Sequence, residues 1–369
     1  MIVSILNATG KNMKPNSNDK TLLLSPFTPI SKNIASHRAA QGIIYADQIK
    51  QSGIDIDVSM SGNLKNIHDY NALYVYHGND WGGSLNLFGG LKDYANIDNF
   101  KELSKFRGKV YSICITFPNY HEMIQNRMLI LSTKGKQEDI NPTWHEVDWD
   151  NLKHIQDNAE VIDPNLIMPH DKISCGDSHA ISMYRPGWMI NSVPFKTLYG
   201  AIKEGLNSFI YNNSYKFKQL EFYFGNIDIR HHLCRQNNPE QSTRKLVKNY
   251  FDAVKQLNIS AQIYEPLPIE HESRLIPKTG WYKGTPFYGS WKERNDIRTI
   301  FIDECKTQQT DQVKLFEWTS HMINKNNELD FSYMEKPKSV HLSREFYPHW
   351  QGKEYNNTHK NTTLEDFFT

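Results

Sequence analysis

The chain has 369 residues, with 42 Lys and Arg against 41 Asp and Glu, a formal charge of +1. That balance argues against a strong electrostatic grip on nucleic acid or on an anionic membrane, and no apolar run approaches the ~18 residues of a membrane helix. Apolar residues at 38% suffice for the cores of two ordinary domains.

Four cysteines, Cys114, Cys175, Cys234 and Cys305, are widely spaced with no CxxC, which points to neither a zinc site nor a disulfide framework. The start, MIVSILNATGKN, reads as a β-strand and not as a signal peptide. A reducing cytoplasm is the expected setting, the host's if the chain is phage-encoded.

Residues 1–165 predict an α/β domain of Rossmann-like type. Strands are expected at Ile2–Leu6, Ile54–Val58, Ala72–Tyr76 and Val110–Ile115, and helices at Ile34–Gln51 and Phe100–Phe106. Short apolar strands alternating with helices imply a parallel sheet covered on both faces. Ligands on such sheets sit at the strands' carboxyl ends. Those ends carry Asn7-Ala8-Thr9-Gly10, the run His77 to Gly83, and Phe88-Gly89-Gly90. These turns form neither G-x-G-x-x-G nor a Walker loop, and read as plain connections or as a backbone-lined pocket for a sugar, nucleotide or phosphate. In 123–165, MIQNRMLIL suggests a helix, and the rest reads as loop with a helix start. The stretch Asp163-Pro164 to Pro169 is a plausible boundary.

Residues 166–350 repeat the rhythm. Strands are expected at Ile173–Cys175, Gln219–Phe224 and Ser260–Tyr264. Helices are expected at Lys196–Ile210, Thr243–Gln256, Ile297–Thr307 and Val313–Asn324, with a short one after His341. Residues 351–369 read as a flexible tail.

The chemistry centres on Gly176-Asp177-Ser178-His179, a turn of small and polar residues after an apolar strand. Such a turn caps helices, and it can also present a nucleophilic serine. Serine needs a base and oxyanion donors. A base from a distant part of the chain is available in the run Ser339-Val340-His341-Leu342-Ser343. Between them, after a strong strand, stand Gly225, Asn226, Asp228, Arg230, His231 and His232. Asn226 can donate to an oxyanion. Asp228 and Arg230 can pair with each other or grip an anionic substrate, and Arg230 can also pair with another carboxylate. His231-His232 lacks a third ligand at a useful spacing, so no metal is expected.

Gly-Asp-Ser-His, the Gly-Asn-x-Asp strand end and the late His-Leu-Ser, in that order, resemble the SGNH (GDSL-type) hydrolase superfamily over about residues 170–350. The resemblance implies a flavodoxin-like α/β/α fold and acyl-serine cleavage of esters, often of acetyl or acyl groups on carbohydrates, with no cofactor. It makes Ser178 the nucleophile and His341 the base. Asn226 and a glycine, Gly187 or Gly200, become oxyanion donors. Asp177, His179, Asp228, Arg230 and Tyr288 then become candidates for contact with substrate; Tyr288 belongs to Gly284–Ser290, which is similar to a loop of polysaccharide-associated and phage-borne branches. Two departures stand out. Asn226 directly follows Gly225, and Lys338 occupies the place of the triad acid, three residues before the histidine. Glu335, Asp330 or a backbone carbonyl would have to orient His341. The first half has a fainter similarity to the phage DNA β-glucosyltransferases, which implies a nucleotide sugar as a second partner. Lys338 in the second half also admits a reading of that half as a binding or structural module on a degenerate hydrolase fold.

Overall fold

The computed structural model describes residues 20–24, 37–59, 67–76, 97–114, 116–117, 119, 146–164, 170–210, 217–271, 274, 287–335 and 339–349. The strand expected at Ile2–Leu6, the glycine turns after it and at 77–90, the helix expected within 123–131 and the tail 351–369 lie outside them. The chain divides into two compact units between residues 168 and 169.

The first unit holds strands β1 (Thr21–Leu24), β2 (Ile56–Ser59), β3 (Ala72–Tyr76), β4 (Lys109–Ile113) and β5 (Glu160–Ile162), with helices α1 (His37–Gln51), α2 (Ile97–Lys105) and α3 (Trp149–Asn158). All pairings are parallel and the order is β2-β1-β3-β4-β5. Every residue of β1 and β3 is buried, as expected where helices cover both faces of a parallel sheet. Leu22, Leu24, Leu73 and Val75 pack with Leu103 and Phe106, and with Leu152 and Ile155 of α3. Asp148 caps α3 by accepting from the Asn151 amide at 3.0 Å. This order is that of flavodoxin-like sheets. The dinucleotide-binding Rossmann order is 3-2-1-4-5-6, so the described strands do not confirm the Rossmann-like expectation.

The second unit has β6 (Lys172–Gly176), β7 (Met189–Ser192), β8 (Gln219–Tyr223), β9 (Ser260–Tyr264) and β10 (Val313–Phe316). Its helices are α4 (Leu198–Glu204), α5 (Pro239–Lys255) and α6 (Trp291–Gln308). The parallel order β10-β9-β8-β6-β7 is again 2-1-3-4-5 when the five strands are counted from β6. Asn238 and Pro239 start α5, and a Ser290–Glu293 capping box starts α6. Both helices bury apolar faces, with Val247, Tyr250 and Phe251 on α5 and Ile297 and Phe301 on α6.

Glu221, in the middle of β8, is 1% exposed. It is tolerated because Ser174, the Arg185 guanidinium and the Tyr264 hydroxyl all donate to it. Arg185 in turn lies 3.6 Å above the Trp188 ring.

The expected helix Val313–Asn324 is corrected. Val313–Phe316 is the edge strand β10, with Val313 inward and Lys314 outward. The chain then turns because the Glu265 carboxylate accepts the amides of Trp318 and Thr319 at 3.0 and 3.1 Å, taking donors that a helix would use. Lys196–Ile210 is also interrupted: α4 ends at Gly205, whose φ is +89°, and a 3₁₀ turn Leu206–Phe209 follows. The segment after His341 forms a 3₁₀ turn, Arg344–Phe346. Strands β1, β5 and β7 are additions to the sequence reading.

Candidate active site

Strand β6 ends at Gly176, level with Ser192 of β7 and Tyr223 of β8. Counting from β6, that is the boundary between the first and third strands, where chain crossovers leave to opposite sides and a crevice opens at the carboxyl edge. Gly176 is a packing requirement. A Cβ there would stand 2.2 Å from the Tyr223 carbonyl and 2.8 Å from the Ala180 Cβ. The chain then turns at once. Asp177 caps a 3₁₀ helix, Ser178–Met183, with its carboxylate accepting the His179 amide at 2.8 Å. Ser178 thereby becomes the first helical residue, half-buried at the sheet edge.

Ser178 Oγ lies 2.8 Å from His341 Nε2. That is within hydrogen-bond reach, the geometry a general base needs. On the far side of the ring, His341 Nδ1 is 3.7 Å from Glu335 Oε1, an ion-pair distance and longer than a hydrogen bond. Glu335 is 3% exposed. The Ser339 hydroxyl donates to Glu335 Oε1 at 3.0 Å and accepts the His341 amide at 3.1 Å. The Glu335 amide donates to the His341 carbonyl at 2.9 Å. Glu335 and His341 are thus clamped together through backbone and Ser339. Of the three stand-ins weighed for a triad acid, the structure puts Glu335 beside the ring. Asp330 instead caps the Phe331–Tyr333 turn through the Ser332 amide. Lys338 lies outside the described residues. Ser339 as the link is new; its signal in the sequence is only the spacing Glu-x₃-Ser-x-His.

Several other candidates face inward. Asn226 is 1% exposed; its Oδ1 accepts the Leu267 amide at 3.0 Å, which ties down the loop after β9, and its Nδ2 is buried. Asp228 does not pair with Arg230. Its two carboxylate oxygens accept the Leu198 and Tyr199 amides at 2.6 and 3.2 Å, fixing the start of α4. Arg230, 3% exposed, pairs with buried Glu270 at 2.8 Å, which makes it a structural ion pair and not a clamp on substrate. Asp177 and His179, at 0% and 6% exposure, are buried and bond to each other, with Nδ1 to Oδ1 2.8 Å. Burial is the largest influence on His179 and holds its imidazole below the ordinary value, with Asp177 opposing.

Of the two glycines, Gly187 sits in the turn before β7, at the amino edge of the sheet, away from Ser178. Gly200 lies in the first turn of α4, where its amide donates to Thr197 Oγ1 at 3.0 Å. Tyr288 is 54% exposed, with the Arg235 guanidinium 5.6 Å from its ring centre. His231 stacks on Phe287 at 5.8 Å, and burial pushes its pKa down to about 4. Among the described residues no group of three His, Cys, Asp or Glu side chains is arranged to hold a metal ion.

Solved structures of GDSL-like lipases and acylhydrolases are neighbours of this chain. A protein from Streptococcus pneumoniae named for platelet activating factor is 12% identical, with 62% of this chain and 92% of that one covered at a TM-score of 0.37. An acylhydrolase by name from Bacteroides fragilis is 15% identical, covering 49% and 85% at 0.35. A GDSL-like lipase from Bacteroides thetaiotaomicron is 14% identical, covering 47% and 80% at 0.34. No family model matches, and no curated protein matches. The glucosyltransferase similarity gains no support from these neighbours. At such TM-scores the reading of the site rests on its own atoms.

The environment of Asp228 makes one prediction about stability. Burial raises its carboxyl to about 6, above the usual range near 4, although two amides favour the charged form. The folded state therefore holds this proton more tightly than the unfolded chain. The group's contribution is full below about pH 4 and is lost as pH rises through about 6. The size is on the order of 3 kcal/mol. Urea midpoints measured from pH 4 to pH 6.5 should fall less steeply in Asp228→Asn than in the native protein. Equal slopes would refute the assignment.

Proposed function

We propose that this protein is a serine-dependent ester hydrolase or acyltransferase. The observation that carries the reading is the 2.8 Å contact between Ser178 Oγ and His341 Nε2 at the carboxyl edge of a parallel sheet, with Glu335 behind the ring. Ser178 Oγ attacks the ester carbonyl while its proton passes to His341 Nε2. The Ser178 amide, at the first position of its 3₁₀ turn, donates to the oxyanion. The tetrahedral intermediate collapses, the C–O bond to the alcohol breaks, and His341 returns the proton to the leaving oxygen. Water, or an acceptor hydroxyl, then gives its proton to His341, takes the acyl group and releases Ser178. Glu335 stabilises the imidazolium that forms twice in the cycle.

The finer reading is an O-acetyl group on a carbohydrate. Its support is the resemblance of the motifs, together with exposed aromatic faces at the same edge. Phe195 and Tyr199, 51% and 65% exposed, follow β7, whose end lies beside Gly176. Such faces suit the stacking of a sugar ring. Treatment with a fluorophosphonate should add one phosphonyl group at Ser178, located by peptide mass spectrometry. Acetylated saccharides should release acetate faster than butyryl analogues. No adduct at Ser178 would refute the nucleophile, and a preference for butyryl esters would refute only the acetyl specificity.

A further inference from the structure

His179, next to the nucleophile, has a side chain that the steps above leave unused. It is buried, and its two ring nitrogens both meet oxygen. Nδ1 is 2.8 Å from Asp177 Oδ1, and Nε2 is 3.0 Å from the Val340 carbonyl oxygen. Its ring also packs on the His341 ring, with centroids 4.9 Å apart and planes at 41°. A carbonyl only accepts, so Nε2 carries a hydrogen in this arrangement. On the other side of the ring, Nδ1 faces the Asp177 carboxylate. Asp177 is fixed in its turn, because the same Oδ1 takes the His179 amide and its own amide donates to the Tyr223 carbonyl at 3.1 Å. The result is a chain of contacts from β8, through Asp177 and His179, to the peptide unit that directly precedes His341.

Resting on the serine hydrolase reading, we propose that His179, held by Asp177, is a positioning residue for the general base: it tethers Val340 so that His341 Nε2 stays on Ser178 Oγ. The need is physical. His341 comes from a segment with little regular structure, an isolated bridge at Leu342 and a 3₁₀ turn after Ser343. An imidazole on such a segment loses its alignment unless its backbone is pinned. A misplacement of about 1 Å at a reacting pair can cost about 100-fold in rate. Glu335 and Ser339 pin the segment from one side of His341, and His179 pins it from the other.

The test compares the native chain with His179→Leu and His179→Gln, measuring phosphonate labelling of Ser178, kcat and KM for a phenyl acetate ester, and the melting temperature. Leucine fills the space and removes both contacts. Glutamine keeps a terminal N–H that can reach Val340. The expected result is a fall of about 100-fold in kcat for His179→Leu with KM nearly unchanged, and recovery of about tenfold or more in His179→Gln. Native kcat in a folded His179→Leu, or a folded His179→Gln no better than leucine, overturns the assignment. If only His179→Leu fails to fold, His179→Gln decides: kcat within about tenfold of native supports the tether, and a larger loss overturns it. Failure of both to fold overturns it in favour of a purely structural role. If the native chain neither labels at Ser178 nor turns over esters, the hydrolase reading itself falls; native labelling with an unaffected His179→Leu removes this inference alone.

Discussion

Ser178→Ala should lower ester turnover by about 10⁶, and His341→Ala by nearly as much. The double variant should be little worse than either, because nucleophile and base act as one unit. With the serine gone there is nothing for the histidine to deprotonate, and without the base the hydroxyl stays a poor nucleophile. Glu335→Gln should cost less, about 10² to 10⁴, for two reasons. Its Oε1 is 3.7 Å from Nδ1, longer than a hydrogen bond. Glutamine also keeps an oxygen that can accept from Ser339. Binding of a non-hydrolysable ester analogue should be unchanged throughout. Additive losses in the double variant would mean that Ser178 and His341 do not share one proton transfer. An undiminished kcat in Ser178→Ala would end the hydrolase reading.

The second large effect concerns folding. Gly176→Ala should destabilise the second unit by about 3 kcal/mol or more, near the upper end for overpacking, because the added carbon meets backbone and not a flexible side chain. The Tyr223 carbonyl at 2.2 Å belongs to β8, the neighbour on which β6 is registered. Relief requires prying apart the central strand pair. For a unit of this size the melting temperature should drop by roughly 6–12 °C. Gly225→Ala should also destabilise, since φ is +106° and a Cβ would touch the Phe301 ring at 3.0 Å, but the ring edge can give. Calorimetry on the two variants would separate them. A melting temperature within about 2 °C of native for Gly176→Ala would contradict the packing argument. The glycine of the Gly-Asp-Ser run is therefore explained by the sheet, independently of any chemistry at Ser178.

Much of the fold was legible where burial imposed a simple pattern. Ala72–Tyr76 and Ser260–Tyr264 are apolar or alternating runs closed by clear breaks, and their bounds match the strands found. Val313–Phe316 was not legible, because four residues of alternating burial are too few to be told from one helical turn. What decides it is Glu265, a distant carboxylate that takes the next amides. At the site, the resemblance of the ordered motifs paired Ser178 with His341, and Glu335 could be named as a substitute acid though not chosen over Asp330. Asn226 and Asp228 have chemistry that suits a ligand, and Arg230 suits either a ligand or an ion pair with a carboxylate, which Glu270 supplies. The same groups serve equally to satisfy buried amides and a buried carboxylate, and sequence does not record which way a side chain points. Ser339 and the Val340 carbonyl carry no signature, one being a common hydroxyl and the other backbone.

The separation of 163 residues between Ser178 and His341 has a consequence for biosynthesis. At a ribosomal pace of 5–20 residues per second, roughly 8–30 s pass between the emergence of the serine and that of the histidine. Throughout that interval the sheet edge already carries its hydroxyl, but nothing activates it. On the proposed mechanism, acyl transfer by a nascent or prematurely ended chain would thereby be prevented, and activity would report completion of the second unit. A chain cut just before Glu335 would lose acid, link and base in a single step.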